Sequence, residues 1–257
     1  LVNENEFKII SPGYRVAVPF GKSKIYTGIV ARKHNVSPQT YEAKNIESIL
    51  ELGCGSGAHA NFLSKKGLEI TGIERSESMV QEAIDKDIPN FNPLIADITN
   101  FKIDKQFDAV ISLFHVISYL TDNESLINCF KLTNQHLKQD GLFLFDIWYS
   151  PAVYVQKPET RIKRLENNDI KITRIAESQI NYNSNNVDVN FEVNILNKHN
   201  NRLEIINEKH PMRHFSILEL DLLAQLTGFE IIKAEEFLTH NIPNENTWGV
   251  CVILKKK

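Results

Sequence analysis

The sequence has 257 residues, 42% of them hydrophobic and 24% charged, a balance that excludes a disordered or low-complexity chain. Its formal charge of −3 supplies no general positive field for nucleic acid or an anionic membrane surface, and the basic run Lys255–Lys257 reads as a solvated tail. No apolar stretch reaches the ~18 residues needed to cross a bilayer, and the start "LVNENEFKII" lacks the pattern of an export signal, so a cytoplasmic location is expected.

Residues 1–47 form an N-terminal segment whose "RVAVPFGKSKIYTGIVA" reads as a hairpin around "FGKS", placed to cover substrate or cofactor. "PFGKS" is not a phosphate-binding loop, because the position that would need glycine is Val16. A core over 48–150 follows, with strands expected at 48–53, 68–74, 93–97, 107–114 and 141–148 and amphipathic helices between them. The helix in "NESLINCFKLTNQHLKQDG" carries Leu126, Phe130, Thr133 and Leu137 on one face and is expected to close at Gly141. Strands alternating with helices predict a doubly wound, mostly parallel α/β sheet.

From 151 to 215 the period changes. "IKITRIAESQI", "NVDVNFEVNIL" and "NRLEIINEKH" read as long antiparallel strands joined at "NSNN" and "NKHNN", a β-meander insert expected to serve as a lid or a dimerisation surface. Residues 216–257 supply a helix ending at Gly228 and two strands that complete a seven-stranded sheet. Cys54, Cys129 and Cys251 are odd in number and form no C-x-x-C pair, which argues against disulfides and a zinc site. His210 and His214 in "HPMRH" are likewise not a helical metal pair, since Pro211 lies between them.

The chemistry starts at "SILELGCGSGAHA", where glycines alternate at 53, 55 and 57 as a buried strand gives way to a helix. Such a turn lets backbone approach a ligand without side-chain collision and aims free amides at it. "GCGSGA" also satisfies the dinucleotide pattern through Gly53, Gly55 and Ala58, with Glu74 about 20 residues on for ribose hydroxyls. Against a dinucleotide stands Glu51, whose carboxylate can face a cationic ligand or brace the loop but would repel a pyrophosphate. Asp97, expected to end the third strand, can read an adenine edge together with the amide of Ile98.

"ELGCGSG", "GIERSESM", "ADIT" and "FDAVISLFHVISYL", in this order, resemble the motif series of class I S-adenosylmethionine-dependent methyltransferases. The resemblance implies a Rossmann-like methyltransferase fold with S-adenosylmethionine as cofactor and S-adenosylhomocysteine as product. Gly53, Gly55 and Gly57 would then pass beneath the methionine and ribose, Glu74 would bridge the ribose hydroxyls, Asp97 and Ile98 would hold the adenine, and Met79 would cover it. The backbone at Leu113 and Phe114 would meet the methionine amino group, while Cys54 reads as a small buried filler.

"FDAVISLFHVISYL" and "GLFLFDIWYSPAV", with the antiparallel insert, resemble small-molecule enzymes of this class that methylate sugars or nucleotide sugars. That implies a small polar acceptor, met through oxygen or nitrogen, with His115 and His210 as catalytic candidates and Tyr14, Tyr119, Tyr149 and Arg213 as substrate contacts. The Tyr-Asp-x-x-Tyr helix that such enzymes often place over the cofactor is missing from the first 47 residues, where Tyr14 or Tyr26 would have to substitute. Neither the carboxylates of a metal-dependent site nor an Asn-Pro-Pro motif follows the fourth strand, so no metal and no nucleic-acid or membrane partner is expected, and any homodimer would use the insert. A methyltransferase acting on another small metabolite, a nicotinamide-dependent oxidoreductase and a non-catalytic cofactor-binding protein are the competing readings.

Overall fold

A computed structural model describes residues 46–239 and 241–257; Tyr14, Tyr26 and the hairpin expected around "FGKS" lie outside them. The opening strand, β1 (Ser48–Leu52), is buried along its whole length, as a continuous apolar run requires when both sheet faces are covered. It pairs in parallel with β2 (Glu69–Glu74) on one side and β4 (Phe107–Ser112) on the other, and β3 (Phe91–Ile95) is parallel to β2. On the far side of β4 lies β5 (Leu137–Tyr149), again parallel. The C-terminal β11 (Gly249–Lys256) inserts antiparallel beside β5 and carries β10 (Phe229–Glu236) on its outer edge. The resulting order, β3-β2-β1-β4-β5-β11-β10, is the seven-stranded mostly parallel sheet expected.

Strand alternation splits the core in two. Leu50, Leu52, Val110, Phe143, Phe145 and Ile147 face one layer together with Phe130 of α3 (Asn123–His136) and Leu220, Leu223 and Ala224 of α5 (Ile217–Leu226). Ile49, Ala109, Ile111 and Leu113 face the other, against Ala60 and Leu63 of α1 (Ala58–Ser64). Three helices open on a side chain that accepts a first-turn amide: Ser76 before α2 (Glu77–Asp85), Asp122 before α3 and Ser216 before α5. Each such cap stabilises its helix by about 1 kcal/mol.

The boundaries differ from expectation where turn geometry intervenes. Helix α3 stops at His136 rather than Gly141, because Leu137 is already extended and β5 starts there. Strand β3 ends at Ile95, so Asp97 lies in a turn closed by its own bridge to Asn100. Strand β4 ends at Ser112, and Leu113 and Phe114 belong to the loop after it.

The insert holds four antiparallel strands rather than three: β6 (Arg161–Glu166), β7 (Ile170–Asn181), β8 (Asn186–Asn197) and β9 (Leu203–Phe215), preceded by the short helix α4 (Ser150–Gln156). Asn185 and Asn201 take left-handed φ of 53° and 54° at its turns, the conformation asparagine tolerates best after glycine. The end of β9 pairs in parallel with the end of β5, Trp148 beside His214 and Tyr149 beside Phe215, so the meander is hydrogen-bonded into the core sheet. Among the described residues no helix is long and apolar enough to cross a membrane.

Candidate active site

The carboxyl ends of β1, β2, β4 and β5 converge on the glycine turn. Gly53, Gly55 and Gly57 all hold left-handed φ, at 73°, 54° and 78°. The amides of Gly53 and Cys54 both donate to the Ile73 carbonyl, tying the turn to β2. A Cβ on Gly53 would sit 2.7 Å from Val116, and one on Gly55 3.2 Å from the Met79 methyl, which places Met79 against the middle of the turn. Cys54 is buried behind it; burial, then the charges of Glu51 and Glu74, push its thiol far above the ordinary range, so it is an inert filler.

Glu51 is 1% exposed, and its Oε1 lies 2.7 Å from Nδ1 of His59 on α1. Burial opposes the charged imidazole, but the Glu51 bond, with the charges of Glu51 and Asp146, outweighs it and raises the His59 pKa. His59 stacks on Phe114 with ring centroids 5.1 Å apart. The second carboxylate oxygen of Glu51 is buried with no hydrogen-bond partner among the described residues. An orphaned anionic atom at the end of β1, beside a turn that excludes side chains, fits a cationic ligand and disfavours a pyrophosphate.

Glu74 accepts from the amides of Gly55 at 3.2 Å and Ser76 at 3.0 Å. Two of its roughly four acceptor positions are thereby used by the described residues, and ribose hydroxyls would meet the rest. Asp97 accepts on Oδ1 from the amide and hydroxyl of Thr99, which, with the hydroxyl bond first, hold its carboxyl below the usual range. Half-buried Ile98 packs against the main core beside it. The residues therefore suit S-adenosylmethionine: Glu51 would face the methionine end, the glycines would pass beneath, Glu74 would meet the ribose, and Asp97, Ile98 and Met79 would surround the base.

Buried Leu113 leads into Phe114 and His115, both left-handed at φ 62° and 59°. Two consecutive non-glycine residues in this region store strain of order 1–3 kcal/mol each. The device that offsets it is Asp146 in β5, 1% exposed, whose two oxygens each lie 3.2 Å from the His115 amide. Asp146 Oδ2 is also 2.8 Å from His115 Nδ1, an ion-pair distance whose alignment falls short of a hydrogen bond. Nδ1 faces the carboxylate, and Nε2 of this 27%-exposed side chain is the nitrogen left for a reacting group. Trp148 stands edge-on to His115 at 6.0 Å.

Tyr119 ends the 3-10 turn Val116–Tyr119, and its hydroxyl lies 3.0 Å from Nδ1 of His210 on β9, whose Nε2 is 2.9 Å from Glu208. Two expected substrate contacts are corrected. Tyr149 packs on the main core with Ile147, the sheet face opposite Asp146 and Trp148, so it does not join the site. Arg213 gives its guanidinium to Glu219 at 2.6 Å and lies 5.3 Å over Phe215, an internal ion pair rather than an open anion site.

Sequence reasoning overlooked His59, Asp146, Trp148 and Glu208. Asp146 carried a signal, being the one acid within the apolar run "GLFLFDIW"; buried acids are rare without a partner. Among the described residues no group of three or more metal-ligating side chains occurs.

Residues 49–141 match a family model described as a methyltransferase domain. A second model, described as a 3'DNA-binding domain, matches residues 2–54, most of them outside the described part; residues 48–52 of that match form β1. A putative methyltransferase of Bacillus subtilis is 28% identical over 202 residues, covering 76% of this chain and 78% of the relative. The dTDP-3-amino-3,4,6-trideoxy-alpha-D-glucopyranose N,N-dimethyltransferase of Streptomyces venezuelae is 29% identical over 107 residues, 42% of this chain and 45% of the relative. In fold, the chain resembles a crystal structure of an S-adenosylmethionine-dependent methyltransferase from Clostridium acetobutylicum, with a TM-score of 0.74 at 18% identity over 91% of each chain. Strand order, glycine turn, buried acid and domain match converge: the chain is a class I S-adenosylmethionine-dependent methyltransferase.

Proposed function

We propose that the enzyme methylates a nitrogen or oxygen of a small polar acceptor, a sugar or nucleotide-linked sugar, with His115 receiving the proton that the acceptor gives up. The observation that carries this reading is the His115–Asp146 pair, an imidazole partly open to solvent and backed by a buried carboxylate, at the strand ends beside the glycine turn. S-adenosylmethionine supplies a methyl group already activated by its sulfonium. The protein's work is then to position the acceptor atom, exclude water and take one proton. Asp146 holds the ring and stabilises the imidazolium once Nε2 is protonated, while Trp148 walls the site.

A sugar acceptor is supported by the Streptomyces venezuelae relative, whose own acceptor is an amino sugar on a nucleotide. A place in surface-polysaccharide or deoxysugar synthesis, in the cytoplasm, follows from that acceptor class. The test is mass spectrometry of reactions containing S-adenosylmethionine and a panel of nucleotide-linked amino and deoxy sugars. A methylated product lost in His115→Ala supports the reading, its position reporting nitrogen or oxygen. No product from any sugar, with methylation of a non-sugar metabolite in a cell extract, would overturn it.

A further inference from the structure

Resting on the acceptor reading above, we propose that Gly249, the first residue of β11, fits the enzyme to its acceptor: the space left by its missing side chain holds part of the acceptor's ring beside His115. Every other glycine among the described residues is explained by the chain itself. Five have left-handed φ, and a Cβ on Gly72 or Gly141 would come within 2.6 or 2.9 Å of the atoms around it. Gly249 has neither reason. Its φ lies outside the left-handed region, and a Cβ would stop 3.6 Å from Phe237 Cβ and 3.8 Å from His115 Cε1, ordinary contact distances. A glycine in a strand forfeits packing and costs conformational entropy, so one that neither backbone nor neighbours demand marks the close approach of something else.

The hollow faces the site. Along β11, Val250 and Val252 point into the main core, so Gly249 and Cys251 lie on the opposite face. There they pair across to Trp148 and Asp146 of β5, the two residues that flank His115, which opens the short turn Val116–Tyr119 on the acceptor side. Asp146 faces Nδ1 of His115, and Cε1, the atom nearest to Gly249, joins Nδ1 to Nε2. A side chain larger than a methyl at 249 would press on that edge of the imidazole. The backbone is held from both sides: the Gly249 carbonyl accepts from the Phe237 amide at 2.9 Å, and the Trp248 carbonyl from the Tyr149 amide at 2.9 Å. A substitution therefore fills the hollow rather than shifting the strand.

The test compares Gly249→Ala and Gly249→Val with the wild type. The backbone here suits any residue, so both variants should keep at least the wild-type urea midpoint, with calorimetric affinity for S-adenosylmethionine unchanged. Carbon placed in the hollow should exclude part of the acceptor, raising its KM about tenfold in Gly249→Val and less in Gly249→Ala. Carbethoxylation of His115 by diethyl pyrocarbonate, followed by peptide mass spectrometry, needs no acceptor and should slow in Gly249→Val. A destabilised Gly249→Ala would show that the fold itself demands the glycine, and an unaltered acceptor KM in Gly249→Val would show that the hollow is unused; either result overturns the proposal. If the wild type methylates no sugar in the panel, the acceptor class fails, while the carbethoxylation rate still decides the role of Gly249, an unslowed reaction in Gly249→Val overturning it.

Discussion

Adding one methyl group at Gly53 probes the link between the cofactor turn and the acceptor turn. The backbone there has φ 73°, and the new Cβ would lie 2.7 and 2.8 Å from the two Val116 methyls. Left-handed geometry costs an alanine about 1–2 kcal/mol, and forcing a methyl into a packed site about 1–3 kcal/mol. Gly53→Ala should therefore lose roughly 2–5 kcal/mol of unfolding free energy. Val116→Ala removes the atoms in conflict but leaves the backbone term. The double variant should regain the packing part, a coupling of order 1–3 kcal/mol in a double-mutant cycle. The assay is urea unfolding of all four proteins, with S-adenosylmethionine calorimetry on those that fold. Val116 follows His115 directly, so the single variant should also lower turnover. Additive effects of the two substitutions, or a Gly53→Ala protein of native stability, would refute the placement of the turn against Val116.

Asp146→Asn retains an acceptor for the His115 amide but removes the charge beside Nδ1, so turnover should fall at least tenfold while affinity for S-adenosylmethionine stays within about twofold; equal loss of both would make Asp146 a cofactor residue. The raised pKa of His59 means the folded protein holds this proton where the unfolded chain releases it. Its contribution is fully present below the ordinary imidazole range and is lost as pH rises through the folded value, a slope in urea stability that His59→Gln should abolish. His214 behaves oppositely: burial first, then the Arg213 charge, lowers its pKa to about 4. Stability should then fall between pH 6.5 and about 4, and His214→Asn, keeping the Ser150 hydrogen bond, should flatten that limb in the same titration. Oligonucleotides with a free 3' end should leave the chain's fluorescence anisotropy titration flat, given its net charge of −3; saturable binding would instead give residues 2–54 a nucleic-acid role.

The core sheet was legible because its strands are unbroken apolar runs punctuated by glycine and capped helices, signals that need no tertiary knowledge. Glu51, the three glycines, Glu74 and Asp97 could be placed for the same reason: each follows a recognisable strand or lies near its end. What stayed hidden depends on contacts across long separations. Asp146 meets His115 across 31 residues and Tyr119 meets His210 across 91. Tyr149 was misplaced by one step of the strand period, which is enough to send a side chain to the opposite face. Arg213 looked available although its partner Glu219 is only six residues on, because the pairing depends on how β9 turns into α5. The fourth meander strand, "RIKRLE", lacked apolar alternation strong enough to stand out and is specified by pairing with β7.

Isothermal calorimetry with S-adenosylmethionine, S-adenosylhomocysteine and NAD(H), on the wild type and on Gly55→Val, tests the central claim most directly. The glycine turn and the orphaned Glu51 oxygen predict saturable binding of both sulfur compounds, none of the dinucleotide, and loss of binding in the variant, whose side chain would press on Met79 at φ 54°. Binding of NAD(H) without S-adenosylmethionine, or unchanged affinity in Gly55→Val, would contradict it.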